Sequence, residues 1–216
     1  MKLKVCGMKY SDNIKQVAAL QPDYLGFIFY EKSARHFDAE IIPDISNTIK
    51  KTGVFVDASL GFILEKINKY GLNAIQLHGK ESPEYCKDLT RIITDSAINF
   101  VDIVKVFSIK DEFNFDALKP YEGVCNYYLF DTKGKLPGGN GYTFDWNVLN
   151  NYPSTKPYFL SGGIGVDQIE DIKLFVNSEA STYCYALDVN SKFEIKPGLK
   201  DIDKLKEFKE NLSFRT

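Results

Sequence analysis

Short apolar runs that alternate with helical patterns along nearly the whole chain place the tightest limit on its fold. These runs are mostly apolar rather than alternating, which is typical of parallel strands buried on both faces. Eight runs are predicted as strands, at Leu3–Cys6, Tyr24–Phe29, Thr52–Val56, Ala74–Leu77, Ile103–Phe107, Tyr127–Asp131, Tyr158–Leu160 and Tyr183–Leu187.

The intervals between these runs carry helix signals. One interval has apolar residues at the i, i+3, i+4 and i+7 positions after Ser59, which is a suitable N-cap. These apolar residues are Leu60, Ile63, Leu64 and Ile67. Helices are also predicted from Ser11, Asp167 and about Asp201, whereas the segments 82–89 and 111–119 have weaker helix signals.

Eight strands alternating with about eight helices in 216 residues fit a (β/α)8 barrel, or TIM barrel, as a single domain spanning 1–216. A doubly wound open sheet alternates in the same way. The G-x-G-x-x-G signature of dinucleotide-binding sheets is absent after the first run, where V-C-G-M-K (5–9) stands instead. We therefore predict the barrel, with an active site at the carboxyl ends of its strands.

Composition excludes several classes of function. The chain has 27 basic and 29 acidic residues, so no broad basic surface for nucleic acid is expected. Its four cysteines are scattered without a C-x-x-C pair, which argues against a zinc site or a disulfide framework. No apolar stretch approaches the length of a membrane span or a signal peptide, so we expect a cytoplasmic protein. We also expect a monomer or a homodimer that binds a small phosphorylated molecule.

Cys6 ends the first apolar run and is followed by a loop that holds Gly7 and Lys9. A buried cysteine is most often a small apolar core residue. At the end of a strand, however, a thiol can act as a base in its thiolate form, which a nearby cation favours over the free thiol of pKa about 8.5. Lys9 is our hypothesis for that cation.

Asp131 ends the sixth run, which carries no charge between Tyr127 and Phe130. It can cap a backbone turn or pair with Lys133 or Lys135. It can also act as a general acid, provided that burial or a neighbouring like charge lets it hold a proton at neutral pH. The two roles need different surroundings, so both stay open on the sequence alone.

Three glycine-rich or polar loops follow the last three predicted strands. The G-G-N-G segment (138–141) taken alone fits a flexible loop, but the loops after strands seven and eight of barrels often hold phosphate through backbone N–H groups. A phosphate site formed by the three loops is therefore predicted. Its candidate residues are Gly139, Gly141, Gly162, Gly163, Asp188 and Ser191.

Arg35 and His78 are further candidates for binding a substrate. Arg35 lies in the loop after the second run, where a solvated arginine is the default and a fork on a substrate carboxylate is the alternative. His78 ends the fourth run and is equally well explained as an ordinary polar residue of the barrel rim. With two histidines and no H-E-x-x-H motif, no metal site is predicted, and the candidate acid and base need no cofactor.

These residues lie in segments that resemble the phosphoribosylanthranilate isomerase family of tryptophan biosynthesis, nearly from end to end. The F-D-T-K block (130–133) followed by G-G-N-G-Y-T-F-D-W (138–146) is the most specific. The other similar segments are K-V-C-G-M-K (4–9), G-F-I-F-Y-E-K-S-A-R (26–35), T-G-V-F-V (52–56), N-A-I-Q-L-H-G (73–79), L-S-G-G-I (160–164), L-D-V-N-S (187–191) and P-G-L-K-D (197–201).

The resemblance implies an Amadori rearrangement of N-(5-phosphoribosyl)anthranilate without a cofactor. By matching position, Cys6 would be the general base, Asp131 the general acid and Arg35 the ligand of the anthranilate carboxylate. The chain departs from the family's pattern in three places, where P-G-L-K (197–200) replaces P-G-K-K, N-S-K (190–192) replaces S-S-G, and position 140 differs. Asn140 replaces a usual Ser or Thr, and Lys192 replaces a usual glycine, which would cost about 1 kcal/mol or more if that position needs a positive φ.

Other functions are also compatible with the sequence. A sugar-phosphate epimerase of the barrel type usually needs paired carboxylates with a metal, and an aldolase-like lyase needs a Schiff-base lysine, for which Lys105 is the candidate. A barrel kept as a binding module without catalysis is the third reading. The presence of both Cys6 and Asp131 argues against it.

Overall fold

Eight parallel strands form a closed barrel in chain order in the computed structural model, which describes residues 1–96, 100–110, 112–132 and 145–212. The strands are β1 Lys2–Val5, β2 Tyr24–Ile28, β3 Lys50–Phe55, β4 Ala74–Leu77, β5 Asp102–Ile109, β6 Tyr127–Thr132, β7 Tyr158–Leu160 and β8 Cys184–Val189. Because β1 pairs with both β2 and β8, the sheet closes on itself. The predicted barrel is confirmed, and the open sheet is excluded.

Five α-helices occur in the described ranges: α1 Ser11–Ala19, α2 Leu60–Tyr70, α3 Pro83–Asp95, α4 Ile169–Val176 and α5 Ile202–Leu212. The helix predicted after Ser59 is confirmed, since the Ser59 hydroxyl accepts a hydrogen bond from the N–H of Phe62 at 3.3 Å. It ends at Gly71, whose φ of 60° stops the helix. None of the described helices combines the length and the apolar character needed to cross a membrane.

The predicted number of about eight α-helices is too high for the described residues. The connection from β2 to β3 has no helix, and those after β5 and β6 carry the 3₁₀ helices Phe115–Tyr121 and Trp146–Asn151. Pro120 lies inside the first of these and has no N–H to donate, which disfavours an α-helix there. After β8, a 3₁₀ turn at Ser191–Phe193 leads into two short antiparallel strands, β9 Glu194–Lys196 and β10 Leu199–Lys200.

The barrel interior has an apolar end and a polar end. Side chains alternate between inside and outside along each strand, so the inward residues can be followed in steps of two. A buried apolar cluster fills the end at which the strands begin: Tyr24, Val104, Val106, Leu129, Phe159 and Ala186. Further along the same strands the inward positions become polar, as at Gln76, Asp131 and Asp188. The strand ends therefore enclose a polar cavity above a packed apolar floor.

Lys105 points to the outside of β5 and forms a buried ion pair with Glu81. Its Nζ lies 2.9 Å from Glu81 Oε2 and donates to the carbonyl oxygens of Leu77 and Gly79 at 3.3 and 2.8 Å. Glu81 Oε1 in turn accepts from the N–H of Asp57 at 2.9 Å. The network fixes the loop after β4. It also holds Lys105 in an ion pair, whereas an aldolase-like lyase would need this lysine as a nucleophile.

Breaking this pair should destabilise the fold strongly, because a buried charge would be left alone. We expect Glu81→Ala to lower the free energy of unfolding by about 3–5 kcal/mol in urea denaturation. The matched surface variant Glu84→Ala, from the exposed pair with Lys87, should change it by less than about 1 kcal/mol. Equal effects of the two variants would contradict the expectation.

Candidate active site

A cavity of about 350 Å³ opens at the carboxyl ends of the strands. Eight of the ten residues predicted for the site line it: Cys6, Arg35, His78, Asp131, Gly162, Gly163, Asp188 and Ser191. Gly139 and Gly141 lie outside the described residues, as does Asn140. Residues far apart in the sequence thus meet in one cavity, as the barrel topology predicts for strand ends.

Cys6 lies directly after β1, with 4% of its surface exposed. Its N–H donates to the carbonyl of Val189 at 2.8 Å, which continues the β1–β8 pairing up to the thiol. Burial raises the pKa of the Cys6 thiol, and the negative charge of Asp188 adds to this, whereas the positive charges of Lys4 and Lys200 act in the opposite direction. The free enzyme therefore holds this group mainly as a thiol at neutral pH, beside cations that favour the thiolate.

Lys4 is the cation two residues before the thiol on the same inward face of β1. Its Nζ contacts both carboxylate oxygens of Asp188 at 2.9 Å, and both side chains are almost fully buried. Burial alone would lower the pKa of Lys4, but Asp188 and Cys6 together raise it, so the lysine keeps its charge. The hypothesis that Lys9 acts on the thiol is wrong: Lys9 packs against Gly198, and Lys4 and Lys200 are the cations near Cys6.

Gly26 on β2 leaves the space that the thiol occupies. A Cβ at this position would lie 2.7 Å from Cys6 Sγ, closer than real Cβ atoms approach, and 3.0 Å from Cys6 Cα, which is also tight. The thiol therefore depends on a glycine on the neighbouring strand.

Gly26→Ala should displace the Cys6 side chain and lower kcat by at least about tenfold, since an atomic shift of 1 Å can cost more than this. Steady-state kinetics and titration of the thiol with a charged alkylating reagent would measure the effect. Gly61→Ala, where a Cβ meets nothing within 4 Å, is the control and should leave kcat unchanged. A Gly26→Ala enzyme with wild-type kcat would show that the thiol position is not critical.

Asp131 is the penultimate residue of β6 and faces His78 across the cavity. His78 Nε2 lies 3.5 Å from Asp131 Oδ2, and Gln76 Nε2 lies 3.1 Å from His78 Nδ1. One role considered for Asp131 was pairing with Lys133 or Lys135, and both lysines lie outside the described residues. Gln76 was missed in the sequence, although the alternation along β4 places it on the same inward face as His78.

Arg35 lies in the loop after β2 and forms a two-pronged ion pair with Glu194. Its Nε donates to Glu194 Oε1 and Oε2 at 2.9 and 3.0 Å, and its Nη2 donates to Oε2 at 2.7 Å. The buried Lys200 Nζ also contacts Glu194 Oε1, at 2.8 Å. Within the described part of the chain, these contacts leave Nη1 of Arg35 without a partner. The structure therefore places a held guanidinium at the cavity wall, with one amino group available to a ligand.

The loop after β7 approaches the end of β6 at two glycines. Gly162 and Gly163 have φ values of 95° and 69°, in the region that favours glycine. A Cβ at Gly162 would also lie 2.5 Å from the backbone nitrogen of Thr132. This close approach excludes a side chain and brings the backbone of the loop to the cavity.

Lys192 does not carry the backbone strain considered for it. Among the described residues, the non-glycine residues with positive φ are Gln21 and Asp57, so Lys192 has an ordinary backbone within the 3₁₀ turn. Its Cβ lies 3.0 Å from where a Cβ of Gly165 would stand. The lysine therefore fits here because the position does not need φ above zero.

Comparisons with known proteins match the chain nearly end to end. A sequence profile of the family described as N-(5'phosphoribosyl)anthranilate (PRA) isomerase matches residues 3–211. N-(5'-phosphoribosyl)anthranilate isomerase of Parabacteroides distasonis is 41% identical over 213 residues, which cover 96% of this chain and 91% of that protein.

Solved structures show the same similarity. Phosphoribosyl anthranilate isomerase of Thermotoga maritima has a TM-score of 0.79 and 28% identity over 98% of both chains. A phosphoribosyl anthranilate isomerase in complex with reduced 1-(o-carboxyphenylamino)-1-deoxyribulose 5-phosphate has a TM-score of 0.74 and 26% identity, over 98% of this chain and 97% of that one.

Proposed function

Because the chain belongs to the N-(5'-phosphoribosyl)anthranilate isomerase family, we propose that it catalyses the Amadori rearrangement of N-(5-phosphoribosyl)anthranilate to 1-(2-carboxyphenylamino)-1-deoxyribulose 5-phosphate. This is an aldose–ketose isomerisation of tryptophan biosynthesis. The observation that carries the proposal within this chain is the placement of a thiol, Cys6, and a carboxyl, Asp131, in one buried cavity.

The two groups suit the first two proton transfers of the reaction. Asp131 gives a proton to the ring oxygen while the anthranilate nitrogen forms an iminium, and the furanose ring opens. The iminium acidifies the proton on C2, and the Cys6 thiolate removes it to give an enolamine. The enolamine then gains a proton on C1 and loses one from the C2 hydroxyl to become the ketone. No atom or electron is gained or lost overall.

Lys4 and Lys200 support the base in this scheme. A thiolate forming in a buried site needs positive charge nearby, and both lysines act on the thiol of Cys6. Asp188 holds Lys4 in place by its two contacts of 2.9 Å. The charge of Asp188 itself raises the pKa of the Cys6 thiol, so we assign Asp188 to holding Lys4 rather than to phosphate, which its negative charge would repel.

The phosphate of the substrate is proposed to lie at the loops after β6, β7 and β8. Gly162 and Gly163 bring backbone to the cavity, and Ser191 adds a hydroxyl at its rim. We include Gly139 and Gly141 in the proposed phosphate site because of their positions in the sequence. His78 is assigned to the acid side of the site, next to Asp131.

Arg35 is proposed to bind the anthranilate carboxylate. We expect Arg35→Ala to weaken binding of the product by about 10- to 100-fold, since hydrogen bonds to charged groups are worth about 1.5–3 kcal/mol. A product analogue without the carboxylate should lose little affinity from the same substitution. Calorimetric titration of both ligands would measure this, and equal losses for the two would contradict the contact.

The proposed function is tested by the fluorescence of freshly prepared phosphoribosylanthranilate, followed in the presence of EDTA. Rapid loss of the anthranilate-type emission with this protein, and none above the spontaneous background without it, is the expected result. A rate equal to the background would overturn the proposal. The substrate is a small phosphorylated molecule, so neither nucleic acid nor a membrane is needed as a partner. We propose that the enzyme acts in the cytoplasm as a monomer or a homodimer.

A further inference from the structure

His78 lies between two polar side chains in the cavity. One ring nitrogen, Nδ1, is 3.1 Å from the side-chain nitrogen of Gln76, and the other, Nε2, is 3.5 Å from Oδ2 of Asp131. All three side chains line the cavity, and Gln76 is only 2% exposed. A buried amide is thus connected through one imidazole to the carboxyl proposed as the acid.

The positions of the hydrogen atoms in these contacts between Gln76, His78 and Asp131 follow from the chemistry of the amide. An amide NH₂ group can donate but not accept, so Nδ1 must accept, and the proton of the neutral ring must be on Nε2. Nε2–H is then on the side of the ring that lies 3.5 Å from Asp131 Oδ2, where a carboxylate formed during the reaction can accept. The amide orientation at Gln76 therefore decides which ring nitrogen of His78 carries the proton.

The opposite amide orientation would have the opposite effect at Asp131. With the carbonyl oxygen of Gln76 at Nδ1, the ring proton would be on Nδ1, and the bare Nε2 would face a carboxylate. Two acceptors would then be opposed unless Asp131 kept its proton. A carboxylate left behind after proton transfer would have no donor from His78.

Gln76 has a further property that packing does not explain. Its Oε1 is buried and has no hydrogen-bond partner among the described residues. An unsatisfied buried carbonyl opposes stability, and an apolar side chain of similar size would avoid it. The contact between Gln76 and His78 is therefore the contribution of this amide to the site.

We propose that Gln76 is a positioning residue, which holds His78 with its proton on Nε2 so that the imidazole stabilises the Asp131 carboxylate formed during the reaction. The proposal rests on the proposed function, because Asp131 becomes a carboxylate there by protonating the ring oxygen. Gln76 acts through His78 in this arrangement and does not touch the reacting atoms.

The proton on His78 can be read directly by ¹⁵N NMR of the unliganded protein, at a pH where the ring is neutral. The chain has two histidines, so His36 serves as an internal reference. We expect Nε2 of His78 to be protonated, and Nδ1 to show a coupling through its hydrogen bond to the side-chain nitrogen of Gln76. In Gln76→Glu, whose carboxylate only accepts, Nδ1 should gain a proton. A proton on Nδ1 in the wild type would overturn the proposal.

Kinetics of Gln76→Met test whether the arrangement matters for the reaction. This variant keeps the length of the side chain and removes its donor, so kcat should fall by about 10- to 100-fold while KM changes by less than about twofold. An unchanged kcat, or a higher KM alone, would contradict a positioning role.

Thr52→Val is the matched control. Thr52 is buried on the adjacent strand, its hydroxyl has no partner among the described residues, and it is outside the cavity lining. Its kcat and the His78 spectrum should equal those of the wild type. If the wild type fails to convert phosphoribosylanthranilate at all, the proposed function fails, whereas the NMR result still decides the position of the proton.

Discussion

Cys6→Ala should lower kcat by about 100- to 10,000-fold, the usual contribution of a general base. The thiol lies at the end of β1 in the cavity, with Lys4 on the same strand and Lys200 on β10 as the cations that favour its thiolate. Alanine removes the base without adding charge or bulk. Substrate binding, measured with an unreactive product analogue, should therefore change by less than about threefold.

The pH dependence of kcat/KM in the wild type should also show that the thiolate of Cys6 acts as the base. Burial raises the pKa of the Cys6 thiol, so at neutral pH only a small fraction is thiolate in the free enzyme. This fraction grows about tenfold for each pH unit below the pKa. We expect kcat/KM to rise with pH through the neutral range, and the residual activity of Cys6→Ala to lack this rise.

Cys184→Ala is the control for the loss of a thiol. Cys184 is the first residue of β8, at the opposite end of the barrel, and is not part of the cavity lining. Its kcat should equal that of the wild type. If Cys6→Ala retained kcat within about threefold, or Cys184→Ala lost as much activity as Cys6→Ala, Cys6 would not be the base.

Asp131→Asn should also lower kcat by about 100- to 10,000-fold, because an amide of nearly the same shape cannot supply the proton for opening the ring. The substitution keeps the position at the end of β6 and the neighbouring His78, so the cavity should remain intact. KM should change much less than kcat, which stopped-flow fluorescence over a range of substrate concentrations would show.

The matched control is Asp102→Asn, at the start of β5 and paired with Lys50 at 3.1 Å. This pair lies at the apolar end of the barrel, away from the cavity. We expect a lower free energy of unfolding for Asp102→Asn with an unchanged kcat. Activity of Asp131→Asn within about tenfold of the wild type would assign the acid to another group.

Local sequence patterns pointed to the barrel and located the residues proposed as its acid and base. Buried parallel strands are nearly continuous apolar runs, and eight of them in order fit a closed sheet whose strand ends meet, while the missing G-x-G-x-x-G after the first run argues against an open sheet. Cys6 and Asp131 each end such a run, so their place at the mouth follows without knowledge of any contact. The helix count was less accurate, because turns such as the one containing Pro120 have weak local signals.

The partners of these groups were decided only by the tertiary structure. Lys4 meets Asp188 across 184 positions, and Arg35 meets Glu194 across 159. Such pairs depend on the register of β1 with β8 and on closure of the barrel, which no local pattern encodes. For the same reason the hypothesis of Lys9, near Cys6 in the sequence, was wrong, and Lys200, far away in the sequence, lies near the thiol instead. The sequence alone determined which strand ends carry chemistry, and the folded barrel determined which charges surround each of them.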